Sequence, residues 1–377
     1  MWEDAMASSV EQIRDVLTLG LEEEFVLVDG REPVTVPRAE AVLARIGGRL
    51  DGRMHRELFQ TQIETNTLPR VTAAELRADL AETRGAAIEA AAGLDTRLVA
   101  SGAGVLSRRP LPVTQSPRYL EIARRFPDVL AEFESEPSGC HIHLGTLDRD
   151  RAVLLGTRLR PWMPLLQSLA GNSPFAAGRD RGCASWRYFE FQHWPSAGPA
   201  PSLTGGGYER AVRRLMESGT VMDRKMIYWF TRPSERWPTL EIRVADVNPD
   251  LNVPVLLALL VRGLAATILA ALQADQPVPG TDEHRLIEDH RLAARFGLAA
   301  EGLDPVSGTL ASAEERAASL LEFSRPGLEP GGDLETAALL LAEVRATGGG
   351  AAQQRADFQV RGSLSDVVDG LVKRTAV

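Results

Sequence analysis

Three observations in the sequence predict an α+β fold. Strand-like apolar runs recur through the first 250 residues. Helical stretches announce themselves by capping boxes, Thr72-Ala-Ala-Glu75 and Ser312-Ala-Glu-Glu315, in which a hydroxyl and a glutamate satisfy each other's backbone amides. Beyond Pro254 the pattern is almost wholly helical. No internal repeat or low-complexity linker divides the chain, so residues 1–377 are expected to form one domain.

The first element is Gly20-Leu-Glu-Glu-Glu-Phe-Val-Leu-Val28, an apolar run with three consecutive carboxylates. Strand side chains alternate, so Glu22 and Glu24 share one face, while Glu23 shares the other with Leu21 and Phe25. At roughly 3.3 Å per residue the two stems on one face stand about 7 Å apart, close enough to repel in a half-buried setting unless cations lie between them. An edge strand with solvated acids is the competing explanation. Residues 37–46 suit a short amphipathic helix stopped by Gly47-Gly48. The β-branched and aromatic content of 56–67 predicts a second strand with Gln60, Gln62 and Glu64 on one face and Glu57 on the opposite face, unless a bulge intervenes.

A long Ala-rich helix then runs from the Thr72 box to about Ala92, and 97–105 suits a buried strand ending in glycine turns. Residues 110–117 suit a loop and 119–133 a helix. A short strand is expected at 138–145, and Asp148 is placed to cap a following helix that Pro161 and Pro164 interrupt. Residues 171–207, rich in Gly, Pro, Arg and aromatics, form the longest irregular stretch, and a loop of that length in a compact protein is usually functional. A helix at 208–218 and strands at 226–230 and 239–247 complete this part of the chain. A Gly348-Gly-Gly350 stop interrupts the C-terminal helices.

Composition bounds the function. With 44% hydrophobic residues over 377 positions a large core is available, and a net charge of -9 argues against a general nucleic-acid or membrane-surface binder. Lys225 and Lys373 are the only lysines, so phosphate handling would fall mainly to arginine. The N-terminal residues lack the basic and apolar regions of a secretory signal, which makes the cytoplasm the expected location. Cys140 and Cys183 are expected to be reduced thiols. The most apolar run, 253–272, is long enough to span a bilayer but carries Arg262 at its middle, which favours a buried helix.

Polar side chains thus recur on four strand segments: Glu22 and Glu24, Glu64, His141 and His143, and Glu241, Arg243 and Asp246. A sheet face gathering several carboxylates and a histidine would suit Mg²⁺, which favours carboxylate, water and phosphate oxygens, with Arg179, Arg181, Arg187, Arg232 and Arg243 available to cover phosphates. Blander readings compete. His141-Ile-His143 beside Cys140 is a weak zinc pattern. Gly205-Gly-Gly207 lacks the Lys-Ser/Thr of a P-loop and suits a flexible turn. Arg232 and Arg236, flanked by prolines, suit a surface loop.

Six motifs in order, however, resemble the type 2 glutamate-cysteine ligases, or carboxylate-amine ligases. These are Gly-Leu-Glu-Glu-Glu-Phe (20–25), Glu-Leu-Phe-Gln-Thr-Gln-Ile-Glu-Thr-Asn-Thr (57–67), Gly-Cys-His-Ile-His-Leu-Gly (139–145), Asn-Ser-Pro-Phe with Gly-Arg-Asp (172–180), Arg-Pro-Ser (232–234) and Pro-Thr-Leu-Glu-Ile-Arg-Val-Ala-Asp-Val (238–247). The resemblance implies a glutamine synthetase-like domain, a curved, mainly antiparallel sheet flanked by helices, binding ATP and Mg²⁺, or Mn²⁺ in its place, on the concave face. It implies Glu22, Glu24, Glu64, His141 and Glu241 as metal ligands. It also places Arg243 beside the transferred phosphate, and Glu57 matches an acidic position of the wider superfamily more loosely. With the residue reading above, Arg243, Glu241 and Arg187 are the catalytic candidates, and Arg179, Arg181, Arg232 and Arg243 the nucleotide-binding ones. Ala176-Ala177 and Cys183-Ala-Ser-Trp186 depart from the family pattern in loops facing substrate.

The implied reaction is ATP-dependent amide formation through an acyl phosphate, between small-molecule carboxylate and amine substrates, with glutamate and cysteine as the pair in the family's name. A homodimer is compatible with this assignment, and no nucleic-acid or membrane partner is expected. Guanidino-kinase-type phosphoryl transfer and a degenerate Mg-ATP-binding protein are the alternatives.

Overall fold

A computed structural model describes residues 17–50 and 52–376; the N-terminal segment considered for a secretory signal lies outside the described residues. The largest sheet has seven strands: β1 (Thr18–Asp29), β2 (Met54–Arg56), β3 (Gln62–Asn66), β4 (Thr96–Val99), β5 (Gly139–Gly145), and, after the two-residue β6 (Phe175–Ala176) and β7 (Arg179–Asp180) that form a separate hairpin, β8 (Thr231–Pro233) and β9 (Thr239–Asp246). Its order is β2-β3-β1-β5-β9-β8, and all its pairings are antiparallel. The open sheet among helices bears out the α+β expectation.

The twelve-residue β1 organises the sheet by meeting three partners: β3 along Glu22–Val26, β5 along Thr18–Glu23 and β4 along Val26–Asp29. Its burial alternates as the sequence predicts, with Leu19, Leu21, Glu23 and Phe25 buried and Glu22 and Glu24 only partly so. The first three of those buried positions, like Ile142 and Leu144 of β5 and Leu240 and Ile242 of β9, face the helical side. There the helix Asn252–Gln273 lies in the core with 94% of its apolar window buried, which bears out a buried helix despite its membrane-spanning length. Arg262 at its middle donates to the Val71 carbonyl and to Asp333. This helix crosses the helix Ala313–Leu328 at two glycines, where a Cβ on Gly327 would fall 2.2 Å from the Gly263 carbonyl oxygen.

Both capping boxes form, opening the helices Ala73–Ala92 and Ala313–Leu328, and Asp148 caps Arg149–Arg158. Cys140 and Cys183 are free and buried. The strand expected at 56–67 is instead a hairpin, β2 and β3. Phe59 leaves the strand to bury against Phe133, and the Gln60 amide donates to the Pro112 carbonyl. The strand expected at 97–105 stops at Val99, after which the Ala100 amide donates to the Thr375 hydroxyl and the Gly102 and Gly104 amides pair with loop carbonyls. Residues 119–133 divide into two helices, Pro117–Arg125 and Pro127–Glu132, because Pro127 opens a new turn. No strand forms at 226–230. Asp223 caps a 3-10 turn, Arg224–Met226, and Met226, Ile227 and Trp229 bury in a cluster with Trp194 and Tyr208 rather than in the sheet. Gly205 to Gly207 form the first turn of the helix Gly205–Glu217, not a free turn.

Glu23 is fully buried and receives Arg84 through two hydrogen bonds, Nε to Oε2 at 2.8 Å and Nη2 to Oε1 at 2.5 Å. Arg84 also donates to the Asn248 and Pro249 carbonyls, tying β1 and the helix Ala73–Ala92 to the segment after β9. Removing one partner of such a pair strands the other charge away from water. Glu23→Ala is therefore expected to lower folding stability by about 3–5 kcal/mol in urea unfolding.

A second buried group adds pH dependence. Burial, with Arg160 nearby, pushes the His290 imidazole down to about 3, while its Nδ1 lies 2.6 Å from the Gln167 side-chain oxygen. The unfolded chain therefore takes up this proton as pH falls below about 6.5, and the folded protein resists it until about 3. Stability from this residue is full above the unfolded value and lost on acidification, at up to about 1.4 kcal/mol per pH unit. The fall in melting temperature between pH 7 and pH 5 is expected to be shallower in His290→Gln than in the wild type.

Candidate active site

The face of the sheet opposite the buried helix carries the polar side chains of β1, β3, β5 and β9. Register brings them together: Glu22 pairs with His141 and Glu24 with Glu64, while His143 pairs with Glu241. Over them lies a cavity of about 450 Å³, lined by Glu22, Glu24, Glu64, His141, Glu241 and Arg243 together with Glu57. A second cavity of about 520 Å³ continues along the same face past Glu22, bounded by Leu68, Pro69, His143 and Thr239.

The carboxylates fall into two groups in different electrostatic states. Glu22 and Glu241 sit among cations. Glu22 Oε2 is 3.2 Å from His141 Nδ1 and its Oε1 is 3.1 Å from His143 Nε2. Burial works against its ionisation, but His143 and His141 outweigh that cost and hold the carboxyl well below the usual range. Glu241 Oε2 accepts from Arg232 Nε at 2.7 Å and Arg243 Nη1 at 3.1 Å. Against burial, Arg232, His143 and Arg243 bring the Glu241 carboxyl down to about 2.

Glu24, Glu57 and Glu64 have no such neutralisation, although one oxygen from each lies within 4.8 Å of the others. Burial pushes the Glu57 carboxyl up to about 7, with the Glu24 charge adding to the shift. Burial and the charges of Glu22, Glu57 and Glu24 hold Glu64 well above the carboxylate range. Glu24 is steadied by the Gly139 amide, which donates to its Oε2 at 2.5 Å. His141 Nε2 lies 3.6 Å from Glu24 Oε1 and is buried without a hydrogen-bond partner. Three close acidic oxygens and an unpartnered imidazole nitrogen are a donor set that fits Mg²⁺ or Mn²⁺. Glu57 therefore joins the site, because the β2–β3 hairpin folds it back over β3, where a single continuous strand would have turned it away.

The arginines divide. Arg232 and Arg243 line the first cavity. Arg187 does not: it is buried with Nη1 and Nη2 each 3.4 Å from the Arg243 carbonyl oxygen and its guanidinium over the Phe191 ring. A Cβ at residue 139 would come within 2.4 Å of Arg187 Nη2, so glycine at the start of the Gly-Cys-His-Ile-His run makes room for this arginine against β5. Arg187 is a support for β5 and β9, away from the cavity wall. Arg179 and Arg181 on and after the β6–β7 hairpin are both paired with Glu134, and Arg181 lies 4.2 Å over the Trp186 ring, so neither reaches the cavity. Asp246 is also structural, accepting from the Asn172 amide and the Ser173 and Ser185 hydroxyls. Sequence reasoning missed Arg118, Tyr119, Lys225 and Tyr228 on the cavity wall, because they come from a loop and helices folded over the sheet with no strand periodicity to mark them.

Comparison with known proteins agrees with this architecture. The sequence model of glutamate-cysteine ligase family 2 matches residues 18–370. A protein of Saccharopolyspora erythraea named "Putative glutamate--cysteine ligase 2-1" is 40% identical over 362 residues, 95% of each chain. Among solved structures, the glutamate–cysteine ligase of Francisella tularensis in complex with AMP superposes with a TM-score of 0.69 at 12% identity, over 96% of this chain and 88% of that one. A bifunctional glutathione synthetase from Pasteurella multocida gives a TM-score of 0.72 at 12% identity over 99% of this chain, which spans 54% of that longer protein. The structural likenesses show a shared fold, while the family match runs from β1 into the last helix, and on that match the chain belongs to glutamate-cysteine ligase family 2, the carboxylate–amine ligases.

Proposed function

We propose that the protein joins a carboxylate to an amine at the expense of ATP through an acyl phosphate, with divalent cations on the acidic face. The observation that carries this reading is the pairing on one surface of an under-neutralised trio, Glu24, Glu57 and Glu64, with an arginine-locked carboxylate, Glu241. Glu24, Glu57 and Glu64, with His141 Nε2 beside them, would hold one cation, and Glu22 and Glu241 would contribute to a second. Bound there, the cations would neutralise phosphate oxygens and lower the barrier to displacement.

The rest follows from the chain's own side chains. Glu241 holds Arg232 and Arg243 at the cavity wall, where their guanidinium groups would meet the charge that builds on the transferred phosphoryl group. The acid's oxygen attacks the γ-phosphorus, the bond to the β–γ bridging oxygen breaks and ADP leaves. The amine nitrogen then attacks the acyl carbon, phosphate departs, and the nitrogen loses its proton to give the amide. The first cavity, with Arg118, Lys225, Tyr119 and Tyr228 on its wall, suits the acid and amine, and the second, flanked by Leu68 and Pro69, suits the nucleotide base. Glutamate and cysteine, the pair in the relatives' names, are the first substrates to test.

An ADP-release screen of acids against amines, with product masses recorded, tests the reaction: an amide of the mass of acid plus amine less water, formed in step with ADP, is the expected product. ADP release without an amide, or a stable phosphorylated acid, would remove ligation. Glu22→Ala and Glu241→Gln are each expected to lower kcat by about 10²–10³-fold, the scale of a lost charge-stabilising group. The metal assignment has a readout without turnover. Millimolar Mg²⁺ is expected to raise the wild-type melting temperature, whereas Glu64→Gln, relieved of repulsion, should melt higher than wild type in chelator and gain little from Mg²⁺.

A further inference from the structure

The hairpin between β8 and β9 overhangs the junction of the two cavities, and Arg236 and Trp237 near its tip line both. Trp237 is 52% exposed, an unusual state for the largest apolar side chain in a described region with a well-filled core. Leu68, 45% exposed on the segment after β3, lines the second cavity with it. Two of the large hydrophobic side chains left in water therefore border one cavity. The remaining wall is mostly uncharged, with Pro69, Pro238, Thr67, Thr239 and Asn66, alongside Glu22, Arg53 and His143.

The loop is also held in place. Glu235 pairs with Arg149 at 3.1 Å and with Arg224 at 2.7 Å. The Ser234 hydroxyl accepts from the Arg236 and Trp237 amides, and the Pro238 carbonyl accepts from the Leu147 amide. The Arg236 guanidinium lies 4.7 Å from the Trp237 ring centroid, covering part of the indole. An exposed aromatic on a pinned loop, backed by a cation at the rim of a weakly charged cavity, is built to receive a planar ring.

We propose that Trp237, backed by Arg236, stacks on the nucleotide base and sets nucleotide affinity in this ligase. The identity of the ligand rests on the function proposed above, whereas the stacking role rests on the hairpin geometry. Trp237 touches the base and takes no part in the chemistry at the phosphate. It therefore acts on nucleotide binding more than on turnover.

The test is calorimetric binding of Mg-ADP, with steady-state kinetics in parallel, for wild type, Trp237→Ala and Trp237→Phe, each checked by thermal melting. Trp237→Ala is expected to raise the Kd for Mg-ADP and the KM for ATP roughly tenfold or more, with kcat falling far less and the KM for the acid unmoved. Trp237→Phe, which keeps a stacking face, should recover most of the loss. Wild-type Kd in Trp237→Ala, or a shift in the acid or amine KM in place of the ATP KM, would overturn the stacking role while leaving the ligase proposal standing. A wild-type protein that binds no Mg-ADP would overturn both.

Discussion

The pleat of β1 is the constraint on which the rest of the structure depends. Within three residues it sends Glu23 into the core and Glu22 and Glu24 to the opposite face, and the two destinations need opposite remedies for charge. On the core side the remedy is internal: Arg84 meets both oxygens of Glu23 and hands its remaining donors to the Asn248 and Pro249 carbonyls. A slip of one residue in the register of β1 would place Glu22 and Glu24 in the core and Leu21 and Glu23 over the cavity. The Arg84 pair makes such a slip costly, so a buried ion pair outside the site protects the alignment of the site.

On the open face the remedy is only half built. Glu22 and Glu241 find histidine and arginine partners, and their carboxyls remain ionised. Glu24, Glu57 and Glu64 do not, and burial raises the last two. A protein selected only for stability would have replaced such a trio with apolar residues or supplied it with arginines. Arg179 and Arg181, which might have quenched the trio, are occupied on Glu134.

Several of the periodic and local sequence patterns persist in the structure. The β1 alternation, the two capping boxes, the Asp148 cap and the buried helix around Arg262 each depend on contacts within a few residues or on the side-chain period. The differences lie where a distant part of the chain offers a better partner. Phe59 abandons the strand for Phe133, which folds the hairpin and turns Glu57 toward Glu64. Met226 and Ile227 prefer the cluster around Trp194 to a place in the sheet.

The sequence by itself determined the α+β class, the face on which Glu22, Glu24, His141, Glu241 and Arg243 lie, and the family to which these motifs belong, because strand alternation and ordered motifs are written in consecutive residues. Only the tertiary structure decided which of five arginines face the cavity, that Glu57 completes the acidic trio, and that Trp237 stands half-exposed at the junction of two cavities. Those outcomes depend on which long side chain reaches which partner across the fold, and a guanidinium or an indole can be claimed by neighbours more than a hundred residues away, as Arg77 is by Asn252 and Arg355 by Asp180.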